Sequence, residues 1–239
     1  MTRILATVAR LLIGALALPG AAACAEAAPT KAGGLKFPLE LKIKWTYHLH
    51  QENSEGVNFS EEIAKLAKGK VLDITVTSTV VGRDKLGGSD YFRIDSLRGG
   101  KLWLSEWYRS GGDGVFLGKT IDSETGETAE TVMTPPQKVL SANLRNGESW
   151  SWKAADAPVT VGSRVVGPAT IEVPAGRFDA TQIAYDWKIQ LDGGMSINIR
   201  QERWFAPGVG FVKQDTRTLQ GGRPLSHVIL TLEKFEPVR

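Results

Sequence analysis

From Leu72 to Val80 the chain alternates. Leu72, Ile74, Val76 and Val80 share one face, and Asp73, Thr75, Thr77 and Thr79 share the other. A period of two with many β-branched residues predicts a half-buried strand. Gln182 to Leu191 repeats the pattern, with Ile183, Tyr185, Trp187, Ile189 and Leu191 set against Asp186, Lys188 and Gln190. Turn signals separate such runs: Gly87-Gly88, Gly99-Gly100, Gly111-Gly112, Asn146-Gly147, Asp192-Gly193-Gly194, Pro207-Gly208 and Gly221-Gly222. These residues supply the positive or pre-set φ of tight hairpins. Evenly spaced strands without alternating helices predict an antiparallel meander. One segment departs from this. Ser60 to Lys68 carries Ile63, Leu66 and Ala67 at helical spacing, behind an Asn58-x-x-Glu61 capping pattern and ahead of Gly69. The predicted class is all-β with one short helix, as a curled antiparallel sheet that forms an open or half β-barrel.

The first residues do not fit this pattern. Arg3 and Arg10 bracket the start of an apolar run, Leu11 to Leu18, which Pro19-Gly20 interrupts before small residues follow. That order predicts a secretory signal peptide over residues 1–27, with Ala25-Glu26-Ala27 as the cleavage site. The run is about half the ~20 residues that span a bilayer. A competing pattern, Ala21-Ala22-Ala23-Cys24, resembles a degenerate lipobox with Cys24 as the lipidated residue. Residues 28–36 are small and aperiodic and predict a flexible tether. A single antiparallel β domain is expected over 37–239. The expected location is periplasmic or secreted, or anchored through Cys24, with no transmembrane span in the mature chain.

Composition narrows the chemistry. The chain has 29 basic and 26 acidic residues. Without Arg3, Arg10 and Glu26 the balance is nearly even, which argues against a nucleic-acid partner. Lys36, Lys42 and Lys44 alternate with apolar residues and predict a solvated strand face. Cys24 is the one cysteine. Disulfides, thiolate metal sites and thiol catalysis are therefore not expected. His48, His50 and Glu52 share a strand face opposite Trp45, Tyr47 and Leu49, and so predict solvent exposure. No third ligand suggests itself for that H-x-H pattern, and His227 stands alone, so no metal is expected. The carboxylate pairs Asp90/Asp95 and Glu124/Glu127 read as turn residues. There is no nucleophile elbow, H-E-x-x-H, P-loop or dinucleotide fingerprint. No catalytic residue and no cofactor is expected.

The aromatic residues carry more information. Trp103 and Trp107 are spaced to share a strand face, with Leu102, Leu104 and Tyr108 on the other. Trp150 and Trp152 form a similar pair. A strand apolar on both faces is buried on both, or lines a pocket with one. Trp103, Trp107, Tyr185 and Trp187 are the candidate ligand-binding residues, against the alternative that they fill the core.

Two passages carry a resemblance. Val173-Pro174-Ala175-Gly176-Arg177-Phe178 and Trp204-Phe205-Ala206-Pro207-Gly208-Val209-Gly210 resemble the turn motifs of an uncharacterised family of bacterial periplasmic β proteins. Gly147-Glu148-Ser149-Trp150 resembles that family's G-x-x-W approach. The resemblance is clear from about Asn146 to Lys213. It marks Pro174, Gly176, Pro207 and Gly208 as structural turn residues. The fold is similar to the open β-barrel of lipoprotein-localisation factors, which implies handling of a lipid, acyl chain or lipoprotein. The alternatives are an interaction or structural module that docks an envelope protein, and a glycan-acting hydrolase.

Overall fold

The computed structural model describes residues 37–123 and 128–238. The signal peptide, Cys24, the tether and the Glu124/Glu127 pair lie outside them. The elements in chain order are β1 (Lys44–Asn53), α1 (Glu61–Ala64), β2 (Val71–Leu86), β3 (Ser89–Arg98), β4 (Lys101–Gly111), β5 (Gly114–Asp122), β6 (Ala129–Ser141), β7 (Ser149–Lys153), β8 (Val159–Val173), β9 (Gly176–Gln190), β10 (Ser196–Ala206), β11 (Gly210–Gln220) and β12 (Arg223–Glu236).

All twelve strands form one antiparallel sheet in the order β6-β5-β4-β3-β2-β1-β12-β11-β10-β9-β8-β7. The chain therefore makes two meanders, joined where the first strand pairs with the last. Leu49 faces Leu230 across that junction and His50 faces Ile229. The sheet curls until β6 and β7 meet, giving a nearly closed barrel. Most turns behave as their residues predict, but Gly111 closes β4 and neither it nor Gly112 takes a positive φ. Gly208 has φ +76, and the Val209 N–H bonds to the Ala206 carbonyl at 3.0 Å. This is the type II geometry expected of Pro207-Gly208. Val173 pairs with Gly176, so Pro174-Ala175 occupy the centre of the β8–β9 turn. Gly176, at φ +131, opens the return strand. The Ala175 N–H reaches the Leu232 carbonyl at 3.1 Å and ties this long hairpin to β12.

The helix is shorter than its spacing predicts. It is one turn with Ser60 at the N-cap and no side-chain cap. Asn58 does not cap it, because its side-chain oxygen accepts from Lys70 at 2.8 Å. Only Ile63 of this turn is buried. At the start of β1 the solvated run predicted through Lys42 is a turn instead, with Lys42 at φ +73.

The lumen is filled. β4 and β10 stand third and ninth in the sheet and so face each other. Phe37 lies between them, stacked on Phe205 at 6.1 Å and touching Tyr108 at 6.1 Å and Phe211 at 6.4 Å. Arg203 is 2% exposed and lies over the Tyr185 and Phe211 rings at 5.3 and 4.8 Å. Tyr108 donates to Glu106, itself fully buried, at 2.8 Å. Burial, and then the Glu106 charge, hold the Tyr108 phenol well above its usual pKa, while Arg203 acts in the opposite sense. A buried carboxylate and a buried guanidinium thus act in opposite senses on one hydroxyl.

Gly114 packs against the β6 backbone at φ +149, and a Cβ there would collide with the Leu140 carbonyl. Gly112 has open space. Gly114→Ala is expected to destabilise the protein by about 2 kcal/mol or more, and Gly112→Ala by less than about 0.5. In thermal unfolding this is a Tm loss of roughly 5 °C against almost none.

Candidate functional site

One mouth of the barrel carries a cavity of about 200 Å³. α1 and the β3–β4 turn form it, because Ile63 packs into the core and brings Leu66 over Gly99. Ile63, Leu66, Leu102 and Trp103 supply its apolar lining, and Arg98, Lys65 and Lys101 its cations. The Arg98 guanidinium lies 4.3 Å above the Trp103 ring. Lys101 bonds Glu62 at 3.0 Å, and Lys65 approaches Glu61 at 3.8 Å, so the rim is zwitterionic. Lys101, through its hydrogen bond, lowers the Glu62 pKa. Leu66 and Leu102 are 47% and 45% exposed, and Leu97, the Leu102 partner on β3, is 37% exposed. Leu66 and Leu102 thus leave apolar surface at the opening, and Leu97 adds to it from the neighbouring strand.

The four aromatic candidates occupy different places. Trp103 lines the cavity. A register shift in the β3–β4 ladder falls at this residue, where Ser96 pairs with Leu104 and Leu97 with Leu102. The bulge breaks the alternation that would put Trp103 and Trp107 on one face. Trp103 joins the core, and Trp107 lies on the outer wall. There its indole donates to Asp84 at 2.7 Å, and the Lys119 amine sits 4.9 Å over its ring. Long cationic side chains cover the outer face, which is why β4 is buried on both sides. Tyr185 lies in the lumen, where its hydroxyl donates to the Val139 carbonyl at 2.7 Å. Burial raises its pKa above the usual phenol range. Trp187 belongs to the same core face, with Ile183 and Ile189.

Sequence reasoning found the apolar positions Ile63 and Leu66 but not their role. That role depends on how one helical turn docks on β3 and β4, which no local spacing encodes. Arg98 carried no signal at all.

The polar candidates sit on the outer surface. His48, His50 and Glu52 face solvent, as their alternation predicts. His50 is 2.6 Å from Asp73 through Nδ1 and 3.2 Å from Glu52 through Nε2. His48 lies 3.4 Å from the same Asp73. His227 pairs with Asp215 at 2.9 Å. No group of three or more such side chains among the described residues is arranged to hold a metal ion. Asp90 is paired with Lys85, and Asp95 accepts from Ser105.

The hydrogen bond to Asp73 raises the His50 pKa, and the same bond lowers that of Asp73. The His50 contribution to stability is full below its unfolded pKa of about 6.5 and is lost as pH rises through the raised folded value. The Asp73 contribution is full above about 3.9 and is lost as pH falls through the lowered folded value. Denaturant unfolding of wild type and Asp73→Asn is expected to differ most between about pH 4 and 6.5, and less at pH 8.5.

Two crystal structures align with 86% of this chain and 100% of their own. One is described as a candidate lipoprotein of Parabacteroides distasonis ATCC 8503, at 13% identity and a TM-score of 0.44. The other is a candidate exported protein of Bacteroides fragilis NCTC 9343 with a YmcC-like fold, at 13% identity and a TM-score of 0.43. A search of curated proteins finds no match. Residues 133–222, which include both turn motifs quoted from the sequence, match the profile of the uncharacterised family described as DUF3108-like.

Proposed function

We propose that this protein is an exported, non-enzymatic binding module of the bacterial cell envelope. It holds the apolar part of an amphipathic ligand (a lipid, an acyl chain or a segment of a lipoprotein) at the mouth formed by α1 and the β3–β4 turn. The basic, apolar and small-residue order of the first 27 residues supports export.

The observation that carries the binding role is the open cavity lined by Ile63, Trp103, Leu66 and Leu102, with Leu97 exposed beside Leu102 on the neighbouring strand. Covering those leucines removes apolar surface from water at ~25 cal/mol per Å². The cavity, about 200 Å³, is smaller than the ~300 Å³ at which pockets for whole ligands begin. It suits the end of a chain, with the rest of the ligand lying across the leucines. Lys65 and Lys101 stand where a headgroup would emerge, and the zwitterionic rim accepts an anion once Glu61 or Glu62 swings away. A second reading, a docking module for an envelope protein, has one observation in its favour. Val132 is 59% exposed on the edge strand β6.

Export to a bacterial periplasm, detergent-free purification and mass spectrometry of the protein and its solvent extract test the proposal. A near-stoichiometric amphiphile is expected with the wild type. It should be lost from Leu66→Glu and Leu102→Glu at unchanged Tm, because both side chains are half exposed. A protein free of small molecules, or a ligand retained by both variants, contradicts the proposal. Trp103→Ala is a poor probe here. At 2% exposure it should cost about 3–5 kcal/mol of stability whatever the ligand.

A further inference from the structure

Eleven of the neighbour relations around the wall are main-chain ladders, and the contact between β6 and β7 is not. Pro135 and Pro136 lie in β6 and bring no N–H, so that stretch cannot form a regular ladder with an incoming strand. Its carbonyls are satisfied instead by side chains. The Trp150 indole donates to the Lys138 carbonyl at 2.9 Å and the Trp152 indole to the Pro135 carbonyl at 2.7 Å. The Tyr185 hydroxyl reaches Val139 from β9 at 2.7 Å, and Ser141 bonds Glu148. The main-chain bond across this junction, among the described residues, runs from the Ala155 N–H to the Thr134 carbonyl at 2.8 Å. Gln137, in the same stretch, is 2% exposed, and its side-chain oxygen has no partner.

We infer that the β6–β7 seam is where the barrel opens: the wall parts there while the other ladders stay paired. Opening any ladder breaks a row of consecutive main-chain bonds. Opening the seam breaks a few separate bonds, most of them made by side chains that find water once released. Gln137 gains a partner in the same step. The parted seam uncovers Val139 and the lumen side of Tyr185, both 2% exposed when it is closed. This opening is independent of the mouth cavity.

Thiol labelling tests it in the exported protein carrying Cys24→Ser, which leaves no native thiol. Val139→Cys places a thiol behind the seam, and Leu49→Cys places one on β1, between two full ladders. With Ellman's reagent, Val139→Cys is expected to label about 100-fold faster than Leu49→Cys. Trp152→Phe keeps a ring but removes the donor. It should speed Val139→Cys labelling about fivefold and leave Leu49→Cys unchanged. Equal labelling of both thiols at the rate of global unfolding overturns the inference. If a cysteine variant does not fold, hydrogen exchange on the unsubstituted protein decides. The indole N–H groups of Trp150 and Trp152, which are bonded across the seam, should exchange ahead of the β1 ladder amides, and exchange of both in one cooperative step overturns the inference equally.

Discussion

An open sheet edge is a row of unpaired N–H and C=O groups, and a meander of twelve strands has two of them. Most barrels remove the problem by pairing the first edge with the last. Here the first and last strands of the chain pair in the middle of the wall, and the edges left to be closed are β6 and β7. The Pro135-Pro136 step prevents a ladder at that place, so the edges are joined by the indoles of Trp150 and Trp152 and the hydroxyl of Tyr185. The Ala155–Thr134 main-chain bond, the Ser141–Glu148 bond and the packing of the concave face complete the junction.

That packing is the other half of the architecture. A wall of twelve strands is large enough to leave a lumen. Phe37 prevents this by bridging β4 and the β10–β11 turn region, and Arg203 adds a charged layer between Tyr185 and Phe211. The interior is therefore a core. Exposed apolar side chains remain near the mouth, where the one-turn helix α1 borders a cavity and leaves Leu66, Leu97 and Leu102 open to solvent.

Much of the fold was legible in the sequence because its signals are local. The alternation of Leu72 to Val80 and of Ile183 to Ile189 reports directly which face is buried. Pro207-Gly208 sets its own turn. The exposure of His48 and His50 follows from their alternation with Trp45, Tyr47 and Leu49. What was not legible is what depends on distant contacts. The bulge at Trp103 separates it from Trp107, although the two have ordinary same-face spacing. Asn58 has the spacing of a helix cap, yet Lys70 takes its oxygen. Trp150 and Trp152 announce a shared face, but not that this face meets the carbonyls of β6. The candidate site suffers most, because it is assembled from α1, the β3–β4 turn and the end of β5, segments that no repeat or motif links.

The central claim is that the lumen is a core and that the proposed ligand contact lies at the mouth. Nuclear magnetic resonance shift mapping tests it most directly, with an anionic single-chain amphiphile titrated below its micelle concentration into delipidated protein. The account predicts shifts confined to α1 and the β3–β4 turn, centred on Ile63, Leu66, Leu102 and Trp103, with Tyr47, Tyr185 and Arg203 unmoved. Shifts centred on those lumen residues would contradict it.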